Sequence, residues 1–251
     1  MTTSAPPTIA RLERLAADLV AREPAHRVVV AYAHTVVEVM TDAPAIVAHL
    51  RAVLGTHMRV EPERSEAAPT GRVMAFVRAA DAGAIDAVRA GSAVDIFPLR
   101  DSFMATSGAA VEANGIRWIW NGKTSSLIRR TEGEPEFVVL GPVDEREHRD
   151  PLLGGSLEQD VLRIVRDVIL FHEQAGGAVI CHAAAVDTGG VGTAVVGARG
   201  GGKTTFVSKL FGAPHHGCRF VSGDRLIVVP ATGHPAYGWP GYTNIGLGTI
   251  V

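Results

Sequence analysis

Gly197-Ala-Arg-Gly-Gly-Gly202-Lys203-Thr204-Thr205 is the stretch of this chain whose residue types and spacing speak most directly of chemistry. A glycine, four residues, then Gly-Lys-Thr is the P-loop pattern for holding phosphates. Gly197, Gly200, Gly201 and Gly202 let the backbone curl so that successive N–H groups face a polyphosphate. A helix that follows aims its positive end at the same place. Lys203 has the reach for β- and γ-phosphates, Thr204 offers a hydroxyl to Mg²⁺, and Thr205 completes the phosphate-binding set. At ordinary residue frequencies such a string arises by chance in a chain this long with odds on the order of 1%.

The chain holds only three lysines, Lys123, Lys203 and Lys209, among its 24 basic Lys and Arg residues. Lys203 is the one whose compact, mobile ammonium the chemistry requires. Lys209 reads as a solvated helix residue. Gly122-Lys123-Thr124 repeats the end of the motif, but Arg117 stands where its first glycine should be and strands flank it, so it reads as part of a hairpin.

Other polar residues are weighed against simpler roles. Asp224 follows the apolar run Cys218–Ser222, so it can project from the carboxyl end of a strand, where ligands collect in α/β sheets. There it would act as a base toward an attacking hydroxyl or as a Mg²⁺ ligand, with a plain turn aspartate as the alternative. Arg199 and Arg225 could face phosphate but read as surface arginines. His215-His216 lack partners at ligand spacing. Trp118 and Trp120 alternate along a strand and share a face, which favours core or interface packing. Cys181 and Cys218 show neither a CxxC spacing nor a disulfide framework.

The elements that must position these groups are legible as patterns. Ile9, Leu12, Leu15, Leu19 and Val20 make the apolar stripe of a helix over 9–22. Arg27–Tyr32 and Val36–Met40 read as strands, 43–54 as a helix stopped by Gly55, and 56–70 as a loop. Arg72–Val77 and Ala93–Phe97 read as strands around a helix at 81–90. Ile116–Trp120 and Thr124–Ile128 flank Asn121-Gly122, the pair a type I′ hairpin turn prefers. Phe137–Leu140 adds a strand, and the charged stretch 141–151 reads as a domain boundary. Ser156 with Gln159 forms a capping box for a long helix ended by Gly176-Gly177. Ala178–Val186 and Thr193–Val196 then predict an antiparallel hairpin feeding the P-loop, 206–211 a helix, and Cys218–Ser222 and Leu226–Val229 two more strands.

The whole chain sets bounds on class. Its 251 residues are 47% hydrophobic and 20% charged with a net charge of −2, which excludes collagen-like and wholly disordered chains. One large or two smaller domains fit. The near-neutral charge gives no reason to expect nucleic acid or an anionic membrane as partner. The opening Met1–Pro7 lacks the pattern of a secretory signal, and no apolar run reaches transmembrane length, so the chain reads as cytoplasmic.

Taken in order, His182-Ala-Ala-Ala-Val186, a Gly-containing turn, a strand into the P-loop, and Phe220-Val-Ser-Gly-Asp224-Arg-Leu226 resemble the catalytic core of the HPr kinase/phosphorylase family and its serine-kinase relatives. The resemblance covers about residues 156–240, with a trace in Pro240. It implies an α/β P-loop core with a mixed sheet of the HPr kinase C-terminal type, related to the phosphoenolpyruvate carboxykinase fold, over 151–251. A smaller α+β N-terminal domain over 1–150 would precede it and recognise substrate or partner. It also implies an ATP- and Mg²⁺-dependent phosphotransferase acting on a hydroxyl, most simply a serine of a protein or peptide. In that scheme His182 lies near the transferred phosphate and Asp224 serves as base or metal ligand.

Two departures accompany the resemblance. Gly223-Asp224 retains only the second of the family's two acids, and His-Ala replaces the usual His-Gly. A nucleotide-sensing or scaffold module without efficient transfer is therefore the competing expectation, and a small-molecule or carboxykinase-like kinase a third. Only 48 residues follow Lys203, fewer than a finished core of this type, so the chain reads as C-terminally incomplete. A homo-oligomer is compatible with all of these readings.

Overall fold

A computed structural model describes residues 7–55, 58–61, 68–96, 106–143, 156–198, 200–212, 217–230 and 236–239. Most of the boundary segment, Arg199, His215-His216, Pro240 and the last residues lie outside the described set. In chain order the elements are α1 (Pro7–Val20), β1 (His26–Tyr32), β2 (Thr35–Thr41), α2 (Pro44–Leu54), β3 (Arg59–Glu61), β4 (Gly71–Ala80), α3 (Ala82–Arg89), β5 (Ser92–Ile96) and β6 (Thr106–Ala113). They continue with β7 (Ile116–Asn121), β8 (Leu127–Thr131), β9 (Glu136–Pro142), α4 (Leu157–Ala175), β10 (Val179–Thr188), β11 (Val191–Val196), α5 (Lys203–Gly212), β12 (Cys218–Ser222), β13 (Arg225–Val228) and β14 (Ala236–Gly238). Helices with one mixed and one antiparallel sheet make the class α/β; the C-terminal sheet, expected to be mixed, is antiparallel in every described pairing because β10, β11, β12 and β13 are joined by reversals of direction. The chain forms two compact units, one of residues 1–31, 36–52 and 60–168, the other of 32–35, 53–59 and 169–251.

The first unit is built on a nine-stranded sheet in the order β3-β1-β2-β4-β9-β8-β7-β6-β5. β4 lies parallel to both β2 and β9, whereas β5 to β9 form an antiparallel meander. The N-terminal part is thus one large mixed sheet with interleaved helices, and it is the larger unit. The first half of α4 belongs to it, because Gly71 has no side chain and the Val168 methyl comes close to its backbone.

One face of this sheet carries Met74, Phe76, Trp118, Leu127, Val138 and Leu140, packed with Ile9 and Leu12 of α1 and Ala84, Ile85 and Val88 of α3. Fully burying such side chains contributes roughly 1.5–3 kcal/mol each. Strand alternation turns Val73, Ala75 and Val139, all buried, to the opposite face. A row of alternating charge crosses four adjacent strands and favours their register. Glu38, only 4% exposed, pairs with Arg27 on one side and Arg72 on the other, and Arg72 reaches Glu136 at 3.4 Å. A one-step slip would take Glu38 from opposite Arg72 to opposite Gly71 or Val73 and lose these pairs.

Local capping follows the residues present. Asp81 Oδ1 accepts from Ala84 N at 2.7 Å to start α3, Ser156 Oγ accepts from Gln159 N at 3.4 Å to start α4, and Gly177 at φ +94° ends it. Segment 56–70 contains the short strand β3 rather than loop alone.

The tight turn lies elsewhere than expected. Asn114 and Gly115, at φ +54° and +74°, connect β6 to β7 with Ala113 opposite Ile116, which is type I′ geometry. β7 and β8 do pair antiparallel, but five residues link them and neither Asn121 nor Gly122 has positive φ. The reason is that Asn121 is committed to a buried network. Its Nδ2 donates to Asp160 Oδ1 at 2.9 Å, while Thr124 and Ser126 hydroxyls donate to Asp160 Oδ2 at 2.5 and 2.7 Å. Burial pushes the Asp160 carboxyl above its usual range, and these hydrogen bonds and the Arg163 charge oppose the shift.

In the second unit β10 is the hub, with β11 along one edge and β13 then β12 along the other. Val207 of α5 packs on Ala184 and Val186 on one face, and Ala183, Ala185 and Leu226 cluster on the other. Tyr32 meets Tyr237 and Trp239 edge-on, and its hydroxyl donates to the Gly238 carbonyl at 2.5 Å. Gly238 has no room for a Cβ against the Val221 carbonyl. Buried Glu173 accepts from the Thr35 hydroxyl at 2.6 Å and from His34 N at 3.0 Å.

Candidate functional site

The site is assembled by the register of β10. Ala183 pairs with Val196 on β11, so the next step along each strand brings His182 level with Gly197, where the glycine-rich loop begins. On the other side His182 pairs with Arg225 of β13, and Ala183 N donates to the Asp224 carbonyl at 2.9 Å. One residue of a central strand therefore stands between the loop's first glycine and the Gly223-Asp224 turn. Its side chain engages that turn directly, with His182 Nδ1 3.0 Å from Asp224 Oδ1. Both side chains remain open to solvent, 51% and 63% exposed.

The loop itself has the backbone that its glycines permit. Gly200 and Gly202 adopt φ +76° and +78°, with nothing within 4 Å of the side where a Cβ would stand. Gly201 sits tight on the loop, and its N–H donates to the Ala198 carbonyl at 3.1 Å. Phe206 N then donates to the Gly202 carbonyl at 2.8 Å, so α5 begins directly at Lys203. The strand, loop and helix follow one another as a phosphate cradle requires.

Lys203 is 8% exposed, and its Nζ donates to the carbonyls of Gly197 at 2.8 Å and Ala198 at 3.1 Å. The ammonium thus faces the inner side of its own loop. Thr204 and Thr205 are half-buried on the first turn of α5, Lys209 is exposed, and Arg199 lies outside the described residues.

Arg225 corrects its surface reading. Its side chain is 11% exposed, Nε is 4.0 Å from Asp224 Oδ2, and burial lowers its pKa from the usual guanidinium value. Trp118 is fully buried and donates to Glu13 Oε1 at 2.7 Å, and Trp120 packs against the same core. Both tryptophans belong to the first unit's core.

Ser222 is the residue that sequence reasoning missed. It is fully buried, and its Oγ donates to the Arg225 carbonyl at 2.5 Å and accepts from the Asp224 N–H at 3.3 Å. The hydroxyl bridges the turn and fixes Asp224 in place. A serine two residues before an aspartate in a strand-to-turn segment is the local signal that could have pointed to it.

Among the described residues no cluster of three or more His, Cys, Asp or Glu is present, whereas a hydroxyl at Thr204 and a carboxylate at Asp224 are the oxygen donors Mg²⁺ takes alongside phosphates and water. No helix among the described residues is long and apolar enough to cross a membrane. No family model, curated protein or solved structure matches the chain.

Proposed function

We propose that this chain is an ATP-binding phosphotransferase of the HPr kinase-like type, which moves the γ-phosphoryl group to a hydroxyl, most simply a serine of a protein or peptide. The observation that carries the reading is the β10 register. It sets His182 level with Gly197 on one strand and pairs its side chain with Asp224 on the other side.

In this reading the loop amides from Gly197 to Thr205 and the Lys203 ammonium bind the nucleotide phosphates. Lys203 exchanges its bonds to the Gly197 and Ala198 carbonyls for phosphate oxygens. Thr204 would hold Mg²⁺, which would supply positive charge against the phosphate oxygens. Asp224, kept in place by the Ser222 hydroxyl and His182, accepts the proton of the acceptor hydroxyl as its oxygen bonds to phosphorus and the bond to the nucleoside diphosphate breaks. Both groups are open to solvent, which suits an acceptor presented on another macromolecule. A small metabolite is normally enclosed over most of its surface.

A nucleotide sensor is the second reading. Gly223 leaves Asp224 as the one carboxylate of its turn, already paired with His182. The two separate on incubation with labelled ATP, Mg²⁺ and a host lysate. Labelling of an acceptor that disappears with Asp224→Asn supports transfer. Nucleotide binding that depends on Lys203, without labelling, identifies a sensor. Equal binding after Lys203→Ala removes both.

A further inference from the structure

The first unit contains a cavity of about 410 Å³ where the start of α1 meets β5, β6 and β7. Its size lies within the roughly 300–1,000 Å³ of small-molecule sites. Ile9, Val94 and Val111 supply apolar lining, and Glu112 and Arg117 bring one charge of each sign.

These two charges are cross-strand partners on β6 and β7, yet they come no nearer than 3.7 Å. That is beyond hydrogen-bond range. Arg117 Nε is shut off from solvent without a hydrogen-bond acceptor. Both side chains are partly open to solvent, so a ligand in the cavity can reach them.

A ligand with a single charge would meet repulsion from one member of the pair. A ligand carrying an ammonium and a carboxylate on one carbon offsets both. The guanidinium fork suits the carboxylate, and the Glu112 carboxylate accepts from the ammonium. The apolar lining leaves room for an aliphatic side chain.

We propose that the first unit binds a free α-amino acid with an aliphatic side chain in this cavity, with Arg117 on its carboxylate and Glu112 on its ammonium. This site is independent of the nucleotide-site reading.

Isothermal titration of the full chain with leucine tests it, with N-acetyl-leucine and leucinamide as ligands lacking the ammonium and the carboxylate charge. Leucine is expected to bind, and each blocked form to bind about tenfold or more weakly, as for loss of one charge-assisted hydrogen bond. Arg117→Gln and Glu112→Gln, at partly exposed positions, are each expected to cost leucine a similar factor while circular dichroism stays unchanged. The proposal is overturned if leucine, valine and isoleucine give no heat and no thermal shift at millimolar concentration. It is equally overturned if the blocked forms bind as well as leucine. Should one variant fail to fold, the other variant and the blocked ligands on the unaltered chain still decide.

Discussion

Ser222 Oγ bridges the turn that carries Asp224, donating to the Arg225 carbonyl at 2.5 Å and accepting the Asp224 N–H at 3.3 Å. Ser222→Ala removes both bonds while the Arg225 carbonyl keeps the Trp239 N–H at 2.9 Å, so the cost is that of lost hydrogen bonds, about 0.5–1.5 kcal/mol each. We expect a matching fall in the denaturant midpoint, and phosphotransfer reduced beyond what the unfolded fraction explains because Asp224 loses its fixed position. A variant as stable and active as the parent would remove Ser222 from the site.

Asp224→Asn should separate activity from stability. The carboxylate and His182 are both more than half exposed, so their pairing contributes little to folding. Removing a positioned general base typically lowers rate by about 10²–10⁴-fold. The expected result is loss of acceptor labelling, with thermal unfolding and nucleotide affinity nearly unchanged.

Lys203→Ala should weaken nucleotide binding by at least about tenfold, the usual consequence of losing a charge-assisted hydrogen bond. Fluorescent-nucleotide titration reads this. Lys203→Arg is expected to fail as well, because the Gly197 and Ala198 carbonyls lie 2.8 and 3.1 Å from a single compact ammonium in a pocket that leaves it 8% exposed. Lys123→Ala, in the look-alike Gly-Lys-Thr segment, should leave binding intact.

Asp160 predicts a pH dependence. Burial raises its folded-state pKa above the ordinary carboxylate value, so over the interval between the unfolded and folded values the native state holds the proton more tightly. Its contribution to stability is then greatest below the unfolded pKa and declines as pH rises through the folded one. Asp160→Asn removes this titration. Denaturation measured from acid to neutral pH should show the variant gaining on the parent as pH rises, and parallel curves would contradict the shift.

The strand, glycine-rich loop and helix at 193–211 were legible because the demands of the pattern are local. A loop that curls around phosphate needs glycines at fixed offsets, a lysine at its end and a helix next, and all of these lie within a dozen residues. The helix stripes and the Ser156 cap are read in the same way, from neighbours along the chain.

The two Asn-Gly pairs mark where local reading stops. Asn114-Gly115 and Asn121-Gly122 have equal turn chemistry, but only the first becomes the type I′ turn. Asn121 is drawn to Asp160, 39 positions away, and a buried carboxylate that needs donors outweighs a turn preference. Likewise, the nine-strand order and the burial of Arg225 depend on which distant surfaces meet. His182 and Asp224 were separate candidates in the sequence. Their contact comes from β10 pairing with β13 at one particular register, which only tertiary packing selects, because backbone hydrogen bonds are alike at every register and the burial of alternating side chains is not.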